Sequence, residues 1–138
     1  MNSKNPYKAY KKVQIQTANQ GKLIVMMYDG IIKNINKALD YLPQKKYEDI
    51  NNAIIKAQDI IAELMASLNM DVGTISQNLL SIYLYMNQKL LQANIKKIKE
   101  PLLEVKKIAS ELKEVWEKIS DTPIKQENQQ TGGINIAT

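Results

Sequence analysis

The sequence predicts an all-α protein, an antiparallel four-helix bundle with a short N-terminal arm packed on it. Three observations support this class. Apolar residues recur at spacings of three and four along four long stretches, which is the period of an amphipathic helix. Few helix-breaking residues separate these stretches, and no segment shows the sustained alternation typical of strands. Short connections between long helices favour antiparallel neighbours.

The chain divides into three parts. Residues 1–18 are predicted to form the arm, residues 19–121 the bundle, and residues 122–138 a flexible tail rich in Gln, Asn, Thr and Gly. A bundle of this length can bury one core without disulfides or metals. We therefore expect a single folded unit with two appended ends.

The first two predicted helices are bounded by capping and turn residues. The first begins at Asn19, a favourable N-cap, and runs to about Leu42, just before Pro43. The second covers residues 47–68. Each carries a wide apolar face directed at a common core.

The last two predicted helices follow a break at residues 69–73. The third begins near Thr74, with Thr74 or Ser76 as its cap, and runs to about residue 95. The fourth begins at Pro101, a natural first-turn residue. Its core-facing stripe is predicted to consist of Val105, Ile108, Leu112, Val115, Trp116 and Ile119.

Composition excludes the common catalytic sites. The chain has no cysteine and no histidine, so it lacks thiolate or imidazole metal ligands and a Ser-His or Cys-His nucleophile. Ser110 and Lys113 match the S-x-x-K pattern of serine acylases, but the companion motifs are missing. We predict no catalytic residue, no metal and no cofactor.

The charge leaves a second class of function open. The chain has a formal net charge of +5, which is compatible with binding to nucleic acid or a membrane surface. Every basic residue is lysine, whereas arginine is favoured for bidentate base and phosphate contacts. The longest apolar run, residues 23–28, is far too short to span a bilayer. We therefore predict a cytoplasmic protein with neither kind of partner.

The apolar residues of the first and third helices cover more than one narrow face. Such surplus indicates a covering arm or a protein partner, and Tyr and Met suit an adaptable binding surface. We predict a partner-binding groove formed by these two helices together with the arm. The candidate residues are Tyr7, Tyr10, Val13, Leu23, Met27, Leu79, Ile82, Tyr83, Met86 and Leu90.

Gly30 lies in the middle of the first helix, where glycine costs about 1 kcal/mol relative to alanine. Two explanations carry equal weight. Gly30 allows either close packing against another helix or the approach of a partner's backbone to the floor of a groove.

Several of these residues form a familiar pattern. Residues 23–30 read LIVMMYDG, residues 78–86 read NLLSIYLYM and residues 90–94 read LLQAN. With Tyr7, Tyr10 and Trp116 in matching order, the chain resembles the flagellar secretion chaperone FliS family. Three places differ: Leu84 replaces an acidic residue, residues 19–21 read NQG instead of Ser-Pro-Glu, and residues 72–74 read VGT instead of Gly-Gly-Glu.

The resemblance implies a specific function. Members of that family are cytoplasmic four-helix bundles that bind the C-terminal segment of flagellin, which wraps around them largely as helices. Binding keeps flagellin monomeric before type III flagellar export. Their N-terminal segment packs on the bundle and overlaps the flagellin-binding surface. The sequence leaves open a homodimer and the binding of export-gate or regulatory flagellar proteins.

Overall fold

The computed structural model describes residues 20–121, which form four helices. A short 3-10 helix, Met70–Val72, lies between the second and third. Contacts between Gln58 and Asn87 and between Asn51 and Lys97 show that the second and third helices run antiparallel. The predicted bundle is therefore confirmed. Its helices are α1 (Gln20–Gln44), α2 (Tyr47–Ala66), α3 (Thr74–Lys96) and α4 (Glu100–Asp121).

The order of the helices around the bundle decides which surfaces can form grooves. Helix α1 packs along α2 and α4, and α3 packs along the same two helices. Helices α1 and α3 therefore stand diagonally opposite each other. Surface grooves lie between adjacent pairs of helices.

The core is formed by one row of residues from each helix, as the periodicity predicted. Trp116 is 7% exposed, which confirms its predicted burial. The predicted stripe of α4 is wrong at two positions, because Val115 and Ile119 are exposed whereas Leu102 and Ala109 are buried. The true core row lies slightly further around α4, so the outer part of the predicted stripe is left at the surface.

The helix ends differ from the predicted boundaries by one or two residues. Helix α1 continues through Pro43, and Lys45 follows it with a left-handed φ of 55°. Helix α3 ends in the same way, at Lys97 with a φ of 54°, a common way to terminate a helix. The predicted N-cap Asn19 lies outside the described residues.

The connection between α2 and α3 is held by hydrogen bonds that the sequence did not reveal. The Ser76 hydroxyl is buried and donates to the Asn69 carbonyl oxygen at 2.7 Å. Gly73 takes the N-cap position of α3 with a φ of 96°, a region that favours glycine. The predicted capping role of Thr74 or Ser76 is therefore wrong, since Ser76 instead ties the loop to the helix.

Along residues 20–121, no helix combines the length and apolar character that crossing a bilayer requires.

Candidate functional site

A groove of about 430 Å³ runs along the surface between α3 and α4. Its walls are mainly apolar, with a carboxylate and two hydroxyl-bearing side chains at the margin. Apolar grooves with a few polar groups are typical binding sites. We call this the α3–α4 groove, and its lining residues are Ser81, Ile82, Tyr85, Ile108, Glu111, Leu112 and Val115.

Helical spacing explains why these side chains meet. Ile108, Leu112 and Val115 follow one another at intervals of four and three, so they share one side of α4. Ile108 and Leu112 rest partly on the core, whereas Val115 is 54% exposed. The row therefore leads from the core to the surface and forms one wall of the groove.

A polar cluster closes one end of the groove. The Tyr85 hydroxyl donates a hydrogen bond to the Glu104 carboxylate. Lys89 Nζ lies 3.8 Å from Glu104 Oε1 and 5.5 Å from the centroid of the Tyr85 ring. The hydrogen bond to Glu104 raises the pKa of Tyr85 above its usual value. Tyr85 is therefore a neutral donor at physiological pH, with its ring turned toward the groove.

A buried tyrosine pair lies in the core between α1 and α3. The hydroxyl oxygens of Tyr28 and Tyr83 are 2.6 Å apart, and the Trp116 side chain also hydrogen-bonds Tyr28. Burial, together with the Tyr83 contact, raises the pKa of Tyr28, and burial raises the pKa of Tyr83. Both phenols are therefore neutral. Their hydrogen bond fixes the position of α3, which forms one side of the α3–α4 groove.

The structure places the predicted binding residues at different depths. Three of the candidates on α3 are core residues, which closes their side chains to a partner in this conformation: Tyr83, Met86 and Leu90. Four candidates are half-buried: Leu23, Met27, Leu79 and Ile82. The arm residues Tyr7, Tyr10 and Val13 lie outside the described residues.

Helices α1 and α3 stand diagonally across the bundle, so they share no groove within residues 20–121. Met27 lies one turn before Gly30, which contacts Ile60 of α2, so Met27 faces α2 rather than α3. Of the predicted residues, Ile82 lines the α3–α4 groove. Partner binding by Leu23, Met27 and Leu79 stays a prediction.

Several groove residues were missed by sequence reasoning. Leu112 and Val115 were assigned to the core, and Tyr85 and Ile108 were not singled out as binding residues. The signal was the width of the apolar stripe on α4, which exceeds what one buried row needs. The sequence did not show which helix lies beside that stripe.

The structure decides between the two explanations for Gly30. A Cβ built on Gly30 would lie 2.9 Å from Ile60 Cδ1. Gly30 therefore serves close packing of α1 against α2, where even a methyl group would displace the Ile60 side chain.

Lys113, part of the S-x-x-K pattern, has a structural partner. Its Nζ lies 2.7 Å from Asp29 Oδ1 and 3.9 Å from Glu117 Oε2. The hydrogen bond to Asp29 raises the pKa of Lys113, whereas a lysine that acts as a base needs a lowered pKa. The pair connects α1 to α4.

Comparison with known proteins agrees with this geometry. The family model described as flagellar protein FliS matches residues 3–123. The flagellar secretion chaperone FliS of Bacillus subtilis (strain 168) is 34% identical over 130 residues, which cover 94% of this chain and 96% of the relative. The chain belongs to the FliS family.

Two further relatives are named flagellar secretion chaperone FliS. The Salmonella typhimurium protein is 33% identical over 88% of this chain and 94% of its own length. The Vibrio cholerae protein is 33% identical over 80% of this chain and 85% of its own length. The role that these names give to the relatives is that of a chaperone of flagellar secretion.

Proposed function

We propose that this chain is a cytoplasmic export chaperone that binds the C-terminal helical segment of flagellin in the α3–α4 groove. The observation that carries the proposal is the apolar groove on the surface of a FliS-family bundle. Occupation of the groove prevents premature polymerisation of flagellin before type III flagellar secretion. No cofactor and no catalysis are involved.

The physical argument is that of a helix bound in a groove. An assembly-prone terminal helix exposes an apolar face, and the chaperone covers that face until export. Ile82, Leu112 and Val115 supply apolar surface. Glu111 at the margin offers a negative charge that fixes the orientation of the bound helix, and Tyr85, whose hydroxyl donates to Glu104, adds the surface of its ring.

The test compares two exposed residues of the same helix. Val115 lines the groove, whereas Leu103 is 45% exposed outside it. Val115→Asp should weaken binding of a flagellin C-terminal peptide by about tenfold or more, because it places a charge on the apolar wall. Leu103→Asp should leave the affinity within about twofold.

Isothermal titration calorimetry gives the affinities, and circular dichroism checks that both variants keep their helicity. Equal affinities for the two folded variants would show that the peptide does not use the α3–α4 groove.

Salt separates this proposal from charge-driven binding to nucleic acid or a membrane surface. Binding to nucleic acid weakens steeply as salt rises, because counterions are released. Peptide binding in an apolar groove should change little between roughly 50 and 500 mM NaCl. A steep loss of peptide affinity over this range would contradict apolar groove binding.

A further inference from the structure

The α3–α4 groove continues toward the end of the bundle where α3 begins and α4 ends. On α3, Leu79 and Ile75 lie three and seven residues before Ile82 and therefore share its side of the helix. On α4, Ile119 lies four residues after Val115. Ile75 is 44% exposed and Ile119 is 53% exposed. The groove is thus part of a longer apolar channel, which we call the α3–α4 channel and which adds Ile75, Leu79 and Ile119 to the groove.

The length of the channel suits a short helix. Tyr85 lies ten residues after Ile75, which corresponds to about 15 Å and about three turns along α3. At the far end, the Tyr85 hydroxyl donates across the channel to the Glu104 carboxylate of α4. An amphipathic helix of about three turns, with apolar side chains spaced by three and four residues, matches this channel.

The charged groups at the closed end already have partners within the chain. Glu104 accepts the hydrogen bond from Tyr85 and lies 3.8 Å from Lys89 Nζ. Lys89 Nζ also donates to Gln92 Oε1 at 3.5 Å. The negative charge of Glu104 is therefore balanced by Lys89, and this end offers a client little charge to pair with.

Glu111 differs from these groups, because its charge is not balanced by a neighbour. It is exposed halfway along the α4 wall, three residues after Ile108 and four before Val115. Its carboxylate forms no ion pair or side-chain hydrogen bond with any residue between 20 and 121. Lys113, two residues away, pairs with Asp29 of α1 instead. Glu111 thus places an uncompensated negative charge beside an apolar channel.

A helix seated in the channel would remove water from the inner side of the Glu111 carboxylate. Loss of hydration costs a charged group free energy unless an opposite charge or hydrogen-bond donors replace the water. A lysine or arginine at the flank of the client's apolar face would replace it, as residues beside the apolar seam of a coiled coil do. An aspartate or glutamate there would be repelled. The carboxylate therefore discriminates between helices of similar apolar character.

We propose that Glu111 is a specificity-determining residue, which selects a client helix that carries a lysine or arginine beside the middle of its apolar face. The cation pairs with Glu111, and apolar side chains one turn before and after it pack on Ile82, Leu112 and Val115. This inference rests on the function proposed for the groove. It goes further, because it names the type of client residue that the chaperone recognises.

Charge reversal in the full chain tests the proposal, with affinities for a flagellin C-terminal peptide measured by calorimetry. At physiological salt, Glu111→Lys should weaken binding by about tenfold or more, because it sets like charges against each other. Glu111→Gln should weaken it by about threefold, since it removes only the attraction. Glu114→Lys is the matched control: Glu114 belongs to the same helix but does not line the groove, so the affinity should stay within about twofold.

Charge exchange with the peptide identifies the client residue. Each lysine and arginine of the peptide is replaced by glutamate in turn. One replacement, beside the apolar face, should weaken binding to the wild-type chaperone by about tenfold and recover most of that loss with Glu111→Lys. Such reciprocal recovery requires the two side chains to interact. Failure of every replaced peptide to recover affinity with Glu111→Lys overturns the proposal.

Val115→Asp separates this inference from the proposed function. Loss of binding by Val115→Asp together with wild-type affinity of Glu111→Lys overturns selection by Glu111 and leaves the groove as the client site. Wild-type affinity of both variants overturns the proposed function, and this inference with it. Equal losses in Glu111→Lys and Glu114→Lys also overturn the inference, because they assign the effect to net charge. Circular dichroism checks that each variant keeps its helicity.

Discussion

The hydroxyl oxygens of Tyr28 and Tyr83 lie 2.6 Å apart and join α1 to α3, the two helices that stand diagonally across the bundle. Trp116 of α4 hydrogen-bonds the same Tyr28 oxygen. Three of the four helices thus meet in one polar cluster surrounded by apolar residues. Leaving a buried hydroxyl without its hydrogen-bond partner costs free energy. This cluster therefore favours the alignment of the helices in which the partners meet.

Removal of the two hydroxyls should have unequal effects. Tyr28→Phe leaves both Tyr83 and Trp116 without their partner and should lower the free energy of unfolding by about 2–3 kcal/mol. Tyr83→Phe leaves Tyr28 bonded to Trp116 and should cost about 1–2 kcal/mol. The double variant should lose less than the sum of the two, because the pair is coupled. Urea unfolding measures all three values, and strict additivity would contradict the coupling.

Stability should fall at alkaline pH because of the same pair. Burial raises the pKa of Tyr28 and of Tyr83 in the folded chain, whereas both ionise near pH 10 when unfolded. Their contribution is complete below pH 10 and is lost as the pH rises above it, since the unfolded chain then releases protons that the folded chain retains. By pH 11 the loss should reach about 1.4 kcal/mol for Tyr28, and Tyr83 should add to it in the same direction.

Urea unfolding at pH 9, 10 and 11 measures this dependence. The double variant Tyr28→Phe/Tyr83→Phe serves as the control. Its free energy of unfolding should fall much less between pH 9 and 11 than that of the wild-type chain. An equal decrease in the wild-type chain and the double variant would assign the effect to other groups.

Substitutions at Gly30 should separate helix propensity from packing. Gly30→Ala gains about 1 kcal/mol of helix propensity but forces the tip of Ile60 to move, since the added Cβ would lie 2.9 Å from it. The two effects should nearly cancel. Gly30→Leu cannot be accommodated between α1 and α2 and should destabilise by about 1–3 kcal/mol. Thermal unfolding compares the variants, and a neutral Gly30→Leu would show that close packing is not the reason for glycine.

Adjacent residues of α4 provide a contrast between core and groove. Trp116→Ala should cost about 3–5 kcal/mol, because it empties a large buried site. Val115→Ala should cost less than about 0.5 kcal/mol, because Val115 is at the surface. Chemical denaturation gives both values. A tryptophan emission maximum typical of exposure to water, in the folded wild-type chain, would contradict the burial of Trp116.

The N-terminal arm should compete with flagellin for the bundle. Tyr7, Tyr10 and Val13 have a spacing of three, and a segment this short is not a stable helix alone. The arm also carries four lysines and no acidic residue, which complements Glu104 and Glu111 beside the α3–α4 groove. An arm that occupies part of the binding surface lowers the apparent affinity by the cost of displacing it.

Deletion of the arm up to Val13 should therefore speed association with a flagellin C-terminal peptide and increase self-association of the chaperone. Stopped-flow kinetics of the deleted and full-length chains measure the difference. Slower or weaker binding by the folded, deleted chain would instead make Tyr7 and Tyr10 direct contacts with the client.

Local pattern was sufficient to predict the four helices, most core positions and the burial of Trp116, because helical period and helix-breaking residues act within a few residues of the chain. The family was also recognisable from residues 23–30 and 78–94. The location of the groove was not predictable in this way. Residues such as Ile82, Leu112 and Val115 acquire a shared surface through the order in which helices pack around the core.

That order depends on contacts between residues far apart in the chain, such as Tyr28 with Tyr83 and Gly30 with Ile60. Periodicity reports how wide an apolar face is, but it cannot report which helix lies beside it. Tyr83, Met86 and Leu90 therefore looked like binding residues and proved to be core, while Val115 looked like core and proved to line the groove. Which of these residues are core and which line the groove is decided by the free energy of packing the helices together. That free energy depends on residues far apart in the chain.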